Sequence, residues 1–106
     1  MLQGVIPALL TPFAKGGAEI DLSALRRLCE HLVAARVSGV FPTGTTGEFI
    51  SLTPEERRLI IRETVRFIGG RCPVIAHVGS FNTAESVALA HSAKSFGVDA
   101  IASLPP

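Results

Sequence analysis

Short apolar segments alternate with amphipathic helical patterns along this 106-residue chain. Three stretches place apolar residues at three- and four-residue steps, which is the spacing of one helix face. The apolar segments between them predict strands at residues 4–10, 40–41, 73–78 and 100–102. Strands separated by helices pair in parallel through right-handed crossovers. The sequence therefore predicts an α/β fold with a parallel sheet.

The predicted helices carry start and stop signals. Residues with a capping preference precede each pattern, namely Asp21, Thr53 and Thr83. Thr53 and Glu56 have the spacing of a capping box, and Pro54 suits the first helical position. A glycine follows each unit, at Gly39, Gly69 and Gly97. Residues 11–13 and 15–17 predict a loop between the first strand and the first helix.

Composition limits the classes of partner. A net charge of +1 gives no basic footprint for nucleic acid or an acidic membrane, and no apolar run is long enough to span a bilayer. Cys29 and Cys72 form no C-x-x-C motif, so we expect packing thiols in a reducing cytoplasm. His31 and His91 fall in helical patterns as expected surface residues, and the histidines are not spaced as metal ligands.

The turn after the second predicted strand reads Gly44-Thr45-Thr46-Gly47 and is followed by Glu48. Glycines let a ligand approach the backbone, and hydroxyls with bare N–H groups can hold a small carboxylate or phosphate. On the pattern alone, a simple strand-to-helix turn is slightly favoured over a binding site. The spacing is neither that of a P-loop nor that of a dinucleotide fingerprint.

Ligands of parallel α/β folds bind at the carboxyl ends of the strands. Three polar loops fall at these ends, around Thr11-Pro12, the Gly-Thr-Thr-Gly turn and the segment 77–80. Their convergence favours a binding role for the turn. His77 follows a buried-looking strand, and a packed or hydrogen-bonded core histidine is favoured over a substrate contact.

Several segments carry a resemblance to a known family. They are residues 4–13, 44–48, 52–57, 76–83 and 97–100, and they resemble the start of the dihydrodipicolinate synthase and N-acetylneuraminate lyase family, in the same order. The resemblance implies that residues 1–106 are a partial TIM-barrel domain, with strands 1–4 and helices 1–3 of a (β/α)8 barrel. It also implies a homo-oligomeric class I aldolase that holds pyruvate as a Schiff base, without a metal or organic cofactor.

Residue roles follow from the same resemblance. Thr46 resembles the threonine whose hydroxyl and N–H hold the pyruvate carboxylate. Gly47 belongs with it in the substrate-binding turn, which Gly44 and Gly47 shape through the backbone. Thr45 resembles the threonine that joins a tyrosine in a proton relay, a catalytic role. For Glu48, a structural role at the loop or at the start of the next helix is favoured over a role in the site.

Two parts of this chemistry are missing from the chain. The family's Schiff-base lysine lies on the sixth strand, whereas the lysines here are Lys15, in an early loop, and Lys94, in the middle of a predicted helix. The chain has no tyrosine. We therefore expect an amino-terminal portion of a lyase, inactive alone. A non-catalytic βα module that binds a small carboxylate is the alternative.

The second substrate stays open. The turn with Glu48 is common to synthases of lysine precursors and to several 2-keto-3-deoxy acid aldolases and dehydratases, and the synthase-like branch is favoured. The segment 77–80 is similar to neuraminate lyases, and residues 48–52 are similar to deoxyglucarate dehydratases. A partial flavodoxin-like sheet fits the alternation but not the turn.

Overall fold

The computed structural model describes residues 13–14, 19–42, 53–79 and 83–102. Its elements, in chain order, are β1 (Phe13–Ala14), β2 (Glu19–Ile20), α1 (Leu22–Ala34), α2 (Pro54–Ile68), β3 (Ile75–His77), α3 (Thr83–Phe96) and β4 (Ala100–Ala102). The strand predicted at residues 4–10 lies outside the described residues. No helix in the described ranges is long and apolar enough to cross a membrane.

Parallel pairing across the crossovers is confirmed. β3 and β4 pair in parallel, with Ile75 opposite Ala100 and His77 opposite Ala102. On the other side of β3, Val40 forms an isolated parallel bridge with Val74. Residues 40–42, β3 and β4 therefore run side by side in chain order and in the same direction.

The predicted helix starts and stops are largely observed. The Asp21 carboxylate accepts the N–H of Ala24 at 3.0 Å at the start of α1. At the start of α2, the Thr53 hydroxyl accepts the Glu56 N–H at 3.1 Å, and the Glu56 carboxylate accepts the Thr53 N–H at 2.8 Å. Gly69 ends α2 in the left-handed conformation at φ 59°, which a residue with a Cβ adopts only with strain.

Three boundary predictions were wrong. The first helix, α1, ends at Ala34 with Ala35 as its C-cap, so Gly39 does not end it. Thr83 is the first residue of α3 and not the residue before it, a shift of one position in a region where caps and first turns share residue preferences. The predicted loop at 11–17 contains half of a short antiparallel ladder, in which Phe13 pairs with Ile20 and Ala14 with Glu19. Strands of two residues are too short to be recognised in the sequence from alternating apolar and polar residues.

The core lies between the sheet and the helices. One cluster joins α1 and α2 to the strands and comprises Leu25, Cys29, Val40, Ile68 and Val74. A second cluster packs Ala76 and Val78 against α2 and α3 through Ile61, Leu89 and Ala93. Cys29 is fully buried and Cys72 packs beside it in the first cluster, so both free thiols have the expected packing role.

Candidate functional site

The described strands end together at one edge of the sheet. The His77 N–H donates to the Pro42 carbonyl at 3.3 Å, and the Val78 N–H donates to the Ala102 carbonyl at 2.8 Å. Parallel strands bring their carboxyl ends to the same edge, which is where α/β folds bind their ligands. Pro42, Gly79 and Ala102 therefore mark the edge of interest.

The His77 side chain alternates along β3 with those of its two neighbours. Ala76 and Val78 point into the cluster that packs on α2 and α3, so strand alternation turns the intervening His77 to the other face of the sheet. Its ring lies beside that of Phe41 from the neighbouring strand, with centroids 5.9 Å apart and planes inclined by 38°. His77 itself is fully buried.

A buried arginine from the first turns of α2 contacts this strand end. The Arg57 Nη1 donates to the Gly79 carbonyl at 2.6 Å, and Nη2 donates to the His77 carbonyl at 2.7 Å. Nη2 also lies 3.3 Å from His77 Nδ1. Arg57 is 1% exposed, so its guanidinium is held by protein groups in place of water. This confirms the favoured interpretation of His77 as a buried, hydrogen-bonded histidine.

Burial lowers the pKa of Arg57 from its ordinary value, and the nearby Glu85 carboxylate opposes part of that shift. Guanidinium groups stay protonated in proteins, so Arg57 is a buried cation. Carbonyl oxygens are good partners for such a cation because hydrogen bonds from a charged donor are stronger than neutral ones. The end of β3 is thus fixed by charge-assisted bonds.

The predicted site residues Thr45, Thr46 and Gly47 lie outside the described residues, as do Gly44, Glu48 and Lys15. The two flanks of that turn are described, at Pro42 and Thr53. In the described ranges, no group of three His, Cys, Asp or Glu residues is placed to hold a metal ion.

Lys94 lies away from the carboxyl ends of the strands. It occupies the last turn of α3, directly before the amino end of β4. With Asp99 and Ile101 it lines an open groove of about 240 Å³. The predicted surface positions of His31 and His91 are confirmed, since both are exposed.

Arg57 is the residue that the sequence interpretation missed, although a signal for it exists. Four other buried residues of α2 share one helix stripe with it, namely Ile60, Ile61, Thr64 and Ile68, while the buried Glu63 lies off that stripe. A charge at a core position of an amphipathic helix needs buried acceptors. The spacing alone therefore predicts a buried hydrogen-bonded guanidinium at position 57.

The order of elements and the strand-end edge define a parallel α/β protein built from successive βα units. Residues 1–106 match the Dihydrodipicolinate synthetase family over their whole length. The chain belongs to this family.

Individual relatives agree with that assignment. The 4-hydroxy-tetrahydrodipicolinate synthase of Methanospirillum hungatei is 42% identical over 107 residues, covering 100% of this chain and 37% of the relative. The crystal structure of dihydrodipicolinate synthase from Aquifex aeolicus superposes with a TM-score of 0.90 at 42% identity, over 95% of this chain and 34% of that one.

A second branch of the family is equally close in shape. The catalytic lysine mutant of the sialic acid aldolase from Ruminococcus gnavus has a TM-score of 0.94 at 37% identity, over 99% of this chain and 34% of that one. The chain therefore spans just over a third of the length of the curated relatives it matches, at 37% of the Methanospirillum hungatei protein.

Proposed function

We propose that residues 1–106 are the amino-terminal part of a (β/α)8 barrel, and that the complete protein is a Schiff-base pyruvate aldolase or lyase. The supporting observation is the family match over residues 1–106. The shared edge formed by Pro42, Gly79 and Ala102 fits this function, because TIM-barrel enzymes bind their substrates at the carboxyl ends of the strands.

In the proposed reaction, a lysine amine from a later strand attacks the C2 carbonyl of pyruvate and water leaves. The resulting iminium lets C3 lose a proton to give an enamine, and C3 then attacks the aldehyde carbon while the aldehyde oxygen takes up a proton. Cleavage runs these steps in reverse from the iminium of the larger 2-keto acid, and water finally releases the keto acid from the lysine. Thr46 donates its hydroxyl and N–H to the pyruvate carboxylate, with Gly47 shaping the backbone around it. Thr45 passes protons together with a tyrosine that this chain does not contain.

The chain alone is proposed to lack the nucleophile. Lys94 stands in the last turn of α3, before the amino end of β4, so its position does not suit attack on a ligand at the carboxyl ends. Its neighbours in the groove, Asp99 and Ile101, belong to that same amino end.

Borohydride reduction tests this assignment, because it converts an iminium into a stable secondary amine. The complete gene product, incubated with pyruvate and borohydride, is expected to gain one pyruvate-derived mass per subunit on a lysine beyond residue 106. The 106-residue chain is expected to gain none. A pyruvate adduct on Lys94 or Lys15 would contradict the second expectation. Absence of any adduct on the complete product would instead favour a non-catalytic module that binds a carboxylate.

Among the family's reactions, the synthase type is proposed, with pyruvate and an aldehyde as substrates. Support comes from the Methanospirillum hungatei relative, which is a 4-hydroxy-tetrahydrodipicolinate synthase at 42% identity. Condensation of pyruvate with an aldehyde, compared with cleavage of a sialic acid, separates the two branches. A cytoplasmic homo-oligomer is part of the same proposal.

A further inference from the structure

The two flanks of the Gly-Thr-Thr-Gly turn meet at a single residue. On the amino side, His77 donates its N–H to the Pro42 carbonyl at 3.3 Å and sets its ring beside Phe41. On the carboxyl side, Arg57 follows the capping box of α2 and donates to the His77 carbonyl at 2.7 Å. The segments on both sides of residues 43–52 are therefore hydrogen-bonded to His77.

The contact between Arg57 and the His77 ring also assigns a tautomer. A guanidinium has five N–H donors and no acceptor, so the ring nitrogen that faces it can only accept. Nδ1 of His77 lies 3.3 Å from Arg57 Nη2, so a hydrogen bond between them requires a lone pair on Nδ1. The ring proton of neutral His77 is then on Nε2. A proton on Nδ1 would place two N–H groups against each other in a fully buried place.

We propose that Arg57 is a positioning residue for the substrate-binding turn, acting through His77. The Arg57 guanidinium donates to the Gly79 and His77 carbonyls and so holds them together. It also keeps the His77 ring, which lies beside Phe41, in the Nε2–H tautomer. This fixes the distance between the end of the strand at Pro42 and the start of α2. The effect on substrate rests on the proposed function, whereas the tautomer and the backbone contacts do not.

Three variants of the complete gene product test the proposal. Arg57→Met keeps the length of the side chain and removes all of its donors. Arg57→Lys keeps the charge but cannot reproduce the planar fork, and it serves where Arg57→Met fails to fold. Arg58→Met is the matched control, because Arg58 is the next residue of α2 and pairs with the exposed Glu55.

The first measurement needs no activity. In protein labelled with 15N-histidine, with the signal assigned by His77→Asn, we expect Nδ1 of His77 to resonate as an unprotonated nitrogen. Arg57→Met is expected to shift that signal toward a mixture of tautomers and to weaken the exchange protection of the His77 amide. The Nδ1 signal and amide protection of Arg57→Lys should lie between those of the parent and those of Arg57→Met. Both properties in Arg58→Met should match the parent. A protonated Nδ1 in the parent, or an unchanged signal and amide in Arg57→Met, would overturn the proposal.

The second measurement separates positioning from simple stability. A loss of stability lowers the amount of active enzyme and hence the apparent kcat, without changing the KM for pyruvate. A displaced turn raises that KM, by about tenfold or more in Arg57→Met, since small errors of placement have effects of this size. A folded Arg57→Met protein with the parent KM would reject the positioning role. If the parent neither turns over pyruvate nor forms an adduct, the proposed function fails and the nitrogen and amide signals alone decide the role of Arg57.

Discussion

Thr46 is the residue on which the proposed binding of the pyruvate carboxylate depends. Thr46→Val in the complete gene product is expected to weaken pyruvate binding by about 1–3 kcal/mol, because a carboxylate in the pocket loses one donor. Equilibrium binding and the KM for pyruvate measure the change. Thr45→Val is the comparison, and it should lower kcat more than binding because a relay acts on proton transfer. Parent-like affinity in Thr46→Val would remove this residue from the site.

Cys29 makes stability depend on alkaline pH. Burial, with smaller contributions from Cys72 and Glu30, raises the pKa of the Cys29 thiol to about 11 in the folded chain. The unfolded thiol ionises at lower pH, so its contribution to folding is complete below that pH and disappears as pH rises through the folded pKa. The free energy of unfolding is therefore expected to fall between roughly pH 9 and 11. Denaturant melts of Cys29→Ala should show a shallower fall, and equal slopes would contradict this origin.

Individual residues differ in how far their sequence context predicts their role. His77 could be interpreted correctly because it lies at the end of an apolar strand, β3. Arg57 could have been found from its place on the buried stripe of α2, yet its partners are carbonyls 20 and 22 residues away. Every residue has a backbone carbonyl, so the sequence does not show which carbonyls Arg57 contacts. The buried stripe of α2 therefore predicts that Arg57 is buried but not what it binds.

At the scale of elements, the start of α2 offers a direct stability test. Its capping box satisfies two backbone donors through Thr53 and Glu56. Thr53→Ala is expected to lower the free energy of unfolding by about 1 kcal/mol, whereas Thr53→Ser keeps the hydroxyl and should cost much less. Chemical denaturation of the complete gene product measures both. Equal losses in the two variants would show that the hydroxyl is not what matters.

A second tie between elements lies where α2 meets β3. Arg71 donates to both carboxylate oxygens of Glu30 on α1, at 2.7 and 2.9 Å, and to the Phe67 and Ile68 carbonyls at the end of α2. The hydrogen bond from Arg71 lowers the pKa of Glu30. The pair is exposed to solvent, so salt weakens it. It links α1 to the end of α2 near the amino end of β3, away from the candidate site.

Helices were easier to predict than strands for a physical reason. Capping residues, proline and glycine act within a few residues, so the local sequence determines the start of α2 and its end at Gly69. The β1–β2 ladder has two residues per strand and depends on contact between separated segments. Alternation over two residues cannot be told from a loop. The parallel order of β3 and β4 was predictable because the intervening α3 enforces it.

In the part of the chain that the structure describes, β4 exposes one large apolar side chain. Ile101 is 44% exposed, and among the described residues β4 pairs on one side, with β3. An open strand edge beside apolar side chains invites pairing with another chain. The 106-residue chain, prepared alone, is therefore expected to form oligomers or aggregates in sedimentation experiments and to lack a sharp monomeric melt in calorimetry.

A pair of substitutions locates the surface responsible for that association. Ile101→Lys places a charge on the open strand, which natural edge strands use to block pairing, and should shift the chain toward monomer. Val87→Lys adds the same charge on α3, at a residue that is 52% exposed but away from the strand edge, and should leave association unchanged. Equal effects would assign the association to general apolar exposure. A monomeric parent chain with a single cooperative transition would show that the described βα units are stable without further strands. That result would contradict the interpretation that they need the rest of a barrel.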